Sequence, residues 1–177
     1  MKVLVVFGTR PEAIKMCPVI KKLKEKSNII CRVCLTGQHE EMLKQVMETF
    51  AIRSDYNLHV MTERQTLAGV SARIMTGLQE IYEKEKPDVV LVHGDTTSSY
   101  IAAVCAFYQH IPIGHVEAGL RTYQLQSPFP EEFNRQSIDM IADIYFAPTK
   151  LAQQQLLNEG KNAAHIYVTG NTAIDAL

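Results

Sequence analysis

The stretch that decides the fold is KVLVVFGTRPE, residues 2–12. Residues 2–7 are a short apolar run of strand type, and Thr9 and Glu12 directly after it form the Thr-x-x-Glu pattern that begins many helices. Pro11 suits the first turn of such a helix, because the amide hydrogen that proline lacks would have no helical partner there. The stretch therefore predicts a buried strand that leads straight into a helix.

The same alternation of strand and helix continues along the chain. Strands are expected at residues 2–7, 29–35, 88–92, 112–116, 144–146 and 165–168. Helices are expected at residues 11–24, 39–50, 67–85, 96–108, 131–141 and 150–159. Strands that are almost continuously Val, Ile and Leu, joined by helices, are typical of a parallel sheet covered on both faces. We therefore expect a doubly wound, Rossmann-like α/β domain.

Length, composition and charge narrow the class of protein. The chain has 177 residues, of which 46% are hydrophobic, enough for the core of one domain. A formal net charge of -1 gives no basic surplus for binding nucleic acid or an anionic membrane. No secretory signal pattern opens the sequence, and no apolar run approaches the roughly 18 residues of a membrane span. We expect a cytoplasmic protein that binds neither nucleic acid nor membrane.

Cys31 and Cys34 form a C-x-x-C pattern that can indicate a zinc or redox site. They fall within a predicted strand, however, and residues three apart on a strand point to opposite faces. The six histidines show no metal-ligand spacing. We therefore expect no metal site and no disulfide between these cysteines.

Polar residues follow the predicted strands at the point where each strand ends. These segments are residues 8–10, 37–39, 93–95, 117–119, 148–149 and 170–172. Because ligands of open parallel sheets bind outside the carboxyl ends of the strands, we expect the segments to share one rim.

Two cations lie near the first helix N-terminus. Arg10 and Lys15 would add positive charge to the exposed amides and the helix dipole, a setting that suits a phosphate group. The alternative is an ordinary capped helix with two solvated cations. Gly8 alone does not make the G-x-G-x-x-G fingerprint of dinucleotide-binding domains.

Asp95 and Glu117 each follow a predicted strand. Asp95 also precedes a helix, so it could serve only as an N-cap. Glu117 ends an apolar strand, where a carboxylate needs polar partners, and this favours a functional role. The His115-x-Glu117 pair is reminiscent of zinc deaminases, but the Pro-Cys-x-x-Cys segment of those enzymes is missing, so we reject that interpretation.

Glu131 and Arg135 lie on the helix that follows the proline-rich loop at residues 127–130. Acidic residues in a first turn complement the helix dipole, and Glu131 with Arg135 would make an ordinary i,i+4 ion pair. That electrostatic explanation competes with a role in a ligand site.

Several long motifs, taken together, resemble a known family. They are GTRPEAIKM, TGQH, RQTL, HGDTTS, HVEAGLRT, SPFPEEFNR and TGNTAIDAL. Their order and spacing are similar to those of bacterial, non-hydrolysing UDP-N-acetylglucosamine 2-epimerases. The resemblance implies the N-terminal half of a two-domain glycosyltransferase-B-type fold, with the active site in the cleft between the halves. Residues 1–169 would form the N-terminal Rossmann-like domain and residues 170–177 the start of the interdomain segment, while the second, UDP-anchoring domain would lie outside the chain.

The resemblance also implies the chemistry. These enzymes invert C2 of the sugar by anti elimination of UDP to 2-acetamidoglucal and re-addition of UDP, with no nicotinamide, other cofactor or metal. Asp95, Glu117 and Glu131 match the catalytic carboxylates of the family, without showing which one is the base. Arg10 and Lys15 match its substrate-binding cations, and Arg135 is a further candidate.

Regulation and assembly are implied in the same way. Bacterial members are activated by a second UDP-N-acetylglucosamine molecule, and the matching effector positions are Gln38, Glu41, Arg64, Gln65 and Glu131. Glu41 stands where close relatives are expected to have Gln. The resemblance further implies a homodimer whose product enters cell-surface polysaccharide synthesis.

Two other classes of function stay open. One is a truncated, non-catalytic binding or regulatory module of the same family. The other is a glycosyltransferase-B enzyme or a hydrolysing epimerase, against which the segments at residues 38–39 and 64–66 weigh. We expect the chain alone to be inactive, because a cleft enzyme closes on its substrate only when both halves are present.

Overall fold

The computed structural model describes residues 1–37, 40–62 and 66–176, with the backbone alone at residues 40 and 41. Within these ranges the chain forms one parallel sheet in the order β3-β2-β1-β4-β5-β6-β7. The strands are β1 (Lys2–Phe7), β2 (Ile30–Leu35), β3 (Tyr56–Asn57), β4 (Val89–His93), β5 (Ile113–Val116), β6 (Ile144–Ala147) and β7 (Ile166–Val168). The strand order reverses between β1 and β4, so the predicted doubly wound, Rossmann-like sheet is confirmed.

Helices connect the strands and cover both faces of the sheet. They are α1 (Arg10–Lys24), α2 (Glu40–Thr49), α3 (Leu67–Glu85), α4 (Thr97–Tyr108), α5 (Glu131–Ile141) and α6 (Lys150–Asn158). Short 3₁₀ turns lie at Ala163–His165 and Ile174–Ala176. No helix among the described residues is long and apolar enough to cross a membrane.

The sheet separates two apolar layers, and β1 shows how its sequence builds them. Val3, Val5 and Phe7 pack on the side of α1 and α2, whereas Leu4 and Val6 pack on the side of α3 and α4. All five are essentially inaccessible to solvent. Burial of each such side chain contributes about 1.5–3 kcal/mol, so β1 anchors the sheet from both sides. The loops after the strands are therefore held on a rigid frame.

The two cysteines of β2 lie on opposite faces, as predicted. Cys31 packs in the layer with α1 and α2, and Cys34 packs in the layer with α3 and α4. Burial raises the pKa of the Cys31 thiol to about 11 and that of the Cys34 thiol to about 12. Both are therefore protonated, unreactive core residues at neutral pH.

Candidate active site

A partly buried cluster of charged side chains lies where the strand order reverses, beyond the carboxyl ends of β4 and β5. The Lys15 ammonium reaches across from α1 and lies 2.8 and 2.6 Å from the two carboxylate oxygens of Glu117. His93 Nε2, from the end of β4, lies 2.8 Å from Glu117 Oε2, although not in hydrogen-bonding alignment. Three elements that are distant in sequence thus meet at one carboxylate.

Glu117 is held in an unusual backbone and electrostatic state. Its φ of 69° is in the left-handed region, which costs a residue with a side chain on the order of 1 kcal/mol and is often found at functional sites. Burial by itself would raise the pKa of Glu117, but His93 and Lys15 outweigh that effect and lower the pKa to about 2. Glu117 is therefore a fixed negative charge at neutral pH.

Asp95 has the opposite tendency. Burial raises its pKa, the charges of Glu117 and Glu131 raise it further, and the Arg135 guanidinium, 3.4 Å away, only partly opposes them. Asp95 is also not the helix cap: α4 begins after Thr96, whose hydroxyl accepts a hydrogen bond of 3.1 Å from the Ser99 amide. The alternative of Asp95 as an N-cap is wrong, because Thr96 performs that role and leaves the aspartate free to face the site.

The expected i,i+4 pair between Glu131 and Arg135 is also wrong. Arg135 Nε instead lies 2.6 Å from Glu132 Oε2, and its other end points to Asp95. Glu132 is completely buried, so its charge must be compensated inside the protein, whereas the half-buried Glu131 can be solvated. Burial alone would raise the pKa of Glu132, but hydrogen bonds from Gln136, from the backbone and from Arg135 lower it.

A second buried carboxylate fastens the two loops that flank the reversal point. One oxygen of Glu12 accepts hydrogen bonds of 3.0 and 2.8 Å from the backbone amides of Gly8 and Thr9. The other accepts hydrogen bonds of 2.7 and 2.8 Å from the hydroxyls of Thr96 and Ser99. The Thr9–Glu12 pattern was predicted only as a local cap, but Glu12 also joins the starts of α1 and α4.

The remaining predicted site residues are less completely defined. Arg10 is the first residue of α1, and its side chain is exposed at the rim. Gln38, Arg64, Gln65 and the Glu41 side chain lie outside the described residues, so Glu131 is the one effector candidate whose side chain the structure describes. Among the described residues, no group of three or more His, Cys, Asp or Glu side chains is arranged to hold a metal.

The amino-acid sequence matches the profile of a known protein family. That profile, described as UDP-N-acetylglucosamine 2-epimerase, matches residues 21–177. The chain belongs to the UDP-N-acetylglucosamine 2-epimerase family. It is 54% identical over all 177 residues to the Bacillus subtilis enzyme of that name, and it covers 47% of that relative. The chain thus spans about half the length of the curated relatives that it matches.

Solved structures agree with this membership. The Neisseria meningitidis UDP-GlcNAc 2-epimerase, whose crystal structure is bound to UDP-GlcNAc, is 52% identical with a TM-score of 0.97, over 99% of this chain and 47% of its own. The lipopolysaccharide outer core galactosyltransferase WaaB is only 16% identical, with a TM-score of 0.67 over 97% of this chain and 46% of its own. That second likeness extends to the fold alone.

Three polar residues of the candidate site make contacts that were not predicted from the sequence. They are Glu12 as a link between helices, Glu132 as the partner of Arg135, and His93 beside Glu117. Only His93 had a local signal, since it ends β4 just before Asp95. The contacts of the other two join segments that no local pattern relates.

Proposed function

We propose that this chain supplies the N-terminal half of an enzyme that interconverts UDP-N-acetylglucosamine and UDP-N-acetylmannosamine. Family membership supports the reaction class, and the share of the relatives that the chain spans supports the division into halves. The observation that carries the proposal is that Asp95 and Glu117 follow the neighbouring strands β4 and β5, close enough for the Glu117 charge to raise the pKa of Asp95, while their pKa values are shifted in opposite directions. Such divergence is typical of groups with different roles in one reaction.

The reaction explains why two kinds of carboxylate are useful. The proton on C2 is not α to a carbonyl, so its removal becomes feasible only as the C1–O bond to UDP breaks and positive charge develops on the ring. The electron pair of the C2–H bond then forms the C1–C2 double bond of 2-acetamidoglucal, and the pair of the C1–O bond leaves with UDP. Return of a proton to the opposite face of C2, with re-addition of UDP at C1, gives the epimer.

The opposite pKa shifts of Asp95 and Glu117 support a different task for each carboxylate. Glu117, held ionised by Lys15 and His93, is suited to stabilising positive charge on the sugar ring. Asp95, whose proton affinity is raised, is the better group to accept the C2 proton, and a second proton donor, on the opposite face of the ring, delivers the new proton that gives the epimer. Glu131 contributes by its charge, which raises the pKa of Asp95.

The start of α1, with Arg10, is suited to binding the diphosphate of the UDP-sugar. Arg10 is exposed at the first residue of α1, where the helix dipole favours an anion. Arg135 is committed to Glu132 and Asp95, so its role in this proposal is to tune Asp95 rather than to bind phosphate. Lys15 is likewise committed to Glu117.

The effector site, the homodimer and the cytoplasmic location stay predictions. A protein that continues this chain with the second half of the Bacillus subtilis relative, called the extended protein below, would test the effector site. We expect its rate to rise more steeply than hyperbolically with UDP-N-acetylglucosamine concentration. A simple hyperbola would count against a second binding site.

The decisive experiment is epimerisation in heavy water, with the chain and the extended protein compared. We expect the extended protein alone to place deuterium at C2 and form UDP-N-acetylmannosamine, and the Asp95→Asn variant to do neither. Free N-acetylmannosamine would instead indicate a hydrolysing enzyme. No exchange by the extended protein, with intact binding to a full-length epimerase in a pull-down, would favour the regulatory module.

A further inference from the structure

A buried ion pair lies beneath the candidate site. His115 Nδ1 on β5 is 2.6 Å from Asp139 Oδ1 on α5, and neither residue has any exposed surface. The other oxygen of Asp139 accepts a hydrogen bond of 3.0 Å from the Gly119 amide and lies 2.8 Å from the Arg121 guanidinium. Neither His115 nor Asp139 belongs to the predicted catalytic set.

Hydrogen-bond accounting fixes the protons of this pair. His115 Nε2 is 2.7 Å from the carbonyl oxygen of Gly94, which can only accept, so Nε2 carries a hydrogen. Burial alone would raise the pKa of Asp139, but His115 and Arg121 outweigh that effect and lower it. An ionised carboxylate also only accepts, so Nδ1 carries the second hydrogen. Both ring nitrogens of His115 thus face acceptors, a carboxylate on one side and a carbonyl on the other.

The Gly94 carbonyl is one of three consecutive carbonyls held by side chains. The single hydrogen of the Ser99 hydroxyl is shared between the carbonyl of His93, at 2.7 Å, and the Glu12 carboxylate, at 2.8 Å, and the Asn134 amide donates to the carbonyl of Asp95 at 2.8 Å. Gly94 has a φ of 66°, so the chain turns sharply just before Asp95. The direction in which Asp95 leaves the sheet is therefore set by these three donors.

The other end of the pair fixes the turn after Glu117. Gly119 has a φ of 85°, and a Cβ atom there would lie 2.3 Å from the carbonyl oxygen of Ala152. The turn is tightly packed, and Asp139 binds its amide. A single buried carboxylate on α5 is thus connected through His115 to the segment of Asp95, and directly to the segment of Glu117.

Stability alone does not account for such a pair. Buried ion pairs can often be replaced by apolar side chains with no loss of stability, because desolvation offsets their attraction. Resting on the proposed function above, we propose that His115 and Asp139 are positioning residues, which set the Asp95 carboxylate relative to Glu117 by holding the Gly94 carbonyl and the Gly119 amide. They touch no substrate.

Two substitutions of His115 test the contacts of its two ring nitrogens one at a time. His115→Gln places an amide nitrogen near the position of Nε2 and keeps a donor for Gly94, whereas His115→Asn places it near Nδ1 and keeps only the Asp139 contact. In the extended protein we expect kcat to fall about 100-fold in His115→Asn with little change in KM, the effect of misplacing a catalytic group by about 1 Å. His115→Gln should stay within about tenfold of the parent.

A variant of Asp139 tests the proposal even if His115→Asn does not fold. Asp139→Asn can donate to Nδ1 of a neutral imidazole, which leaves the Nε2 hydrogen on Gly94, and its oxygen can still accept from Gly119. It should therefore keep kcat within about tenfold while losing stability. The control is Asp143→Ala: Asp143 accepts a hydrogen bond of 2.8 Å from the Ile113 amide at the opposite end of β5, so loss of this bond should lower the melting temperature and leave kcat unchanged.

The pKa of Asp95 can be measured without turnover, so the positioning proposal can be tested independently of the proposed function. In ¹³C NMR titrations of the 177-residue chain, the Asp95 carboxyl should keep its raised pKa in His115→Gln and move towards the ordinary value in His115→Asn. That result would support positioning even if the extended protein did not epimerise. Losses of kcat that are equal in the two His115 variants and follow the loss of melting temperature would overturn the positioning proposal. A 100-fold loss of kcat in Asp139→Asn, or an unchanged Asp95 titration in His115→Asn, would overturn it as well.

Discussion

The Lys15 ammonium contacts both carboxylate oxygens of Glu117, at 2.8 and 2.6 Å, across 102 positions of sequence. The contact joins the first helix to the end of β5 over the reversal point of the sheet. Together with His93, it keeps Glu117 ionised at neutral pH. Several measurable consequences follow from this cluster and from the residues that surround it.

The first prediction concerns stability at acid pH. The pKa of Glu117 is lowered from an ordinary 4.5 to about 2 in the folded chain, so ionised Glu117 stabilises the fold above pH 4.5 and this contribution is lost as the pH falls from 4.5 towards 2. We expect Glu117→Gln to flatten the fall of the unfolding free energy over that window, as measured by urea denaturation at a series of pH values. Glu80→Gln, at an exposed position, is the control. Parallel curves for Glu117→Gln and the parent would contradict the assignment.

The second prediction concerns Arg135 and the pH dependence of turnover. Arg135 lowers the pKa of Asp95, so replacing it in an Arg135→Met variant should raise that pKa further. If ionised Asp95 accepts the C2 proton, the acid limb of the kcat profile of the extended protein should shift to higher pH. Exposed Arg53→Met should leave the limb in place. A shift to lower pH in Arg135→Met would exclude Asp95 as the titrating base.

The sequence predicted most of the fold because its signals are local. Every described end of a predicted element lies within one residue of the observed end. β3 was missed, since Tyr56 and Asn57 alone are too short to show any periodicity. Continuous apolar strands and capped helices were enough for the rest.

From strand ends alone, the sequence predicted two carboxylates of the candidate site. Asp95 and Glu117 were found because ligand groups of open sheets follow strand ends. The Arg135–Glu132 pair was misassigned because helical spacing alone does not reveal which carboxylate is buried. The His115–Asp139 pair depends on how α5 packs against β5, and no local pattern records that contact.

The third prediction uses two neighbouring carboxylates as a matched pair. Glu132 is completely buried and paired with Arg135, whereas Glu131 is half-buried at the start of α5. Glu132→Ala leaves the buried guanidinium without this partner and should cost about 3–5 kcal/mol of unfolding free energy. Glu131→Ala should change it by no more than about 0.5 kcal/mol while lowering kcat of the extended protein. Equal losses of stability in the two variants would show that the burial difference has no energetic consequence.

The fourth prediction tests how closely the first loop packs on the site. A Cβ atom at Gly8 would lie 1.9 Å from Thr36 Oγ1 and 2.7 Å from Ser98 Oγ, and these two hydroxyls are themselves hydrogen-bonded at 2.8 Å. Gly8→Ala must therefore displace Thr36, and overpacking of this kind costs about 1–3 kcal/mol. Thr36→Ala removes the atom at 1.9 Å, so the double variant should lose less stability than the sum of the two single variants, as measured in a double-mutant cycle. Additive losses would mean that the loop moves away from Thr36 instead, and in that case Gly8→Ala should also weaken the contacts of Glu12 with the Gly8 and Thr9 amides.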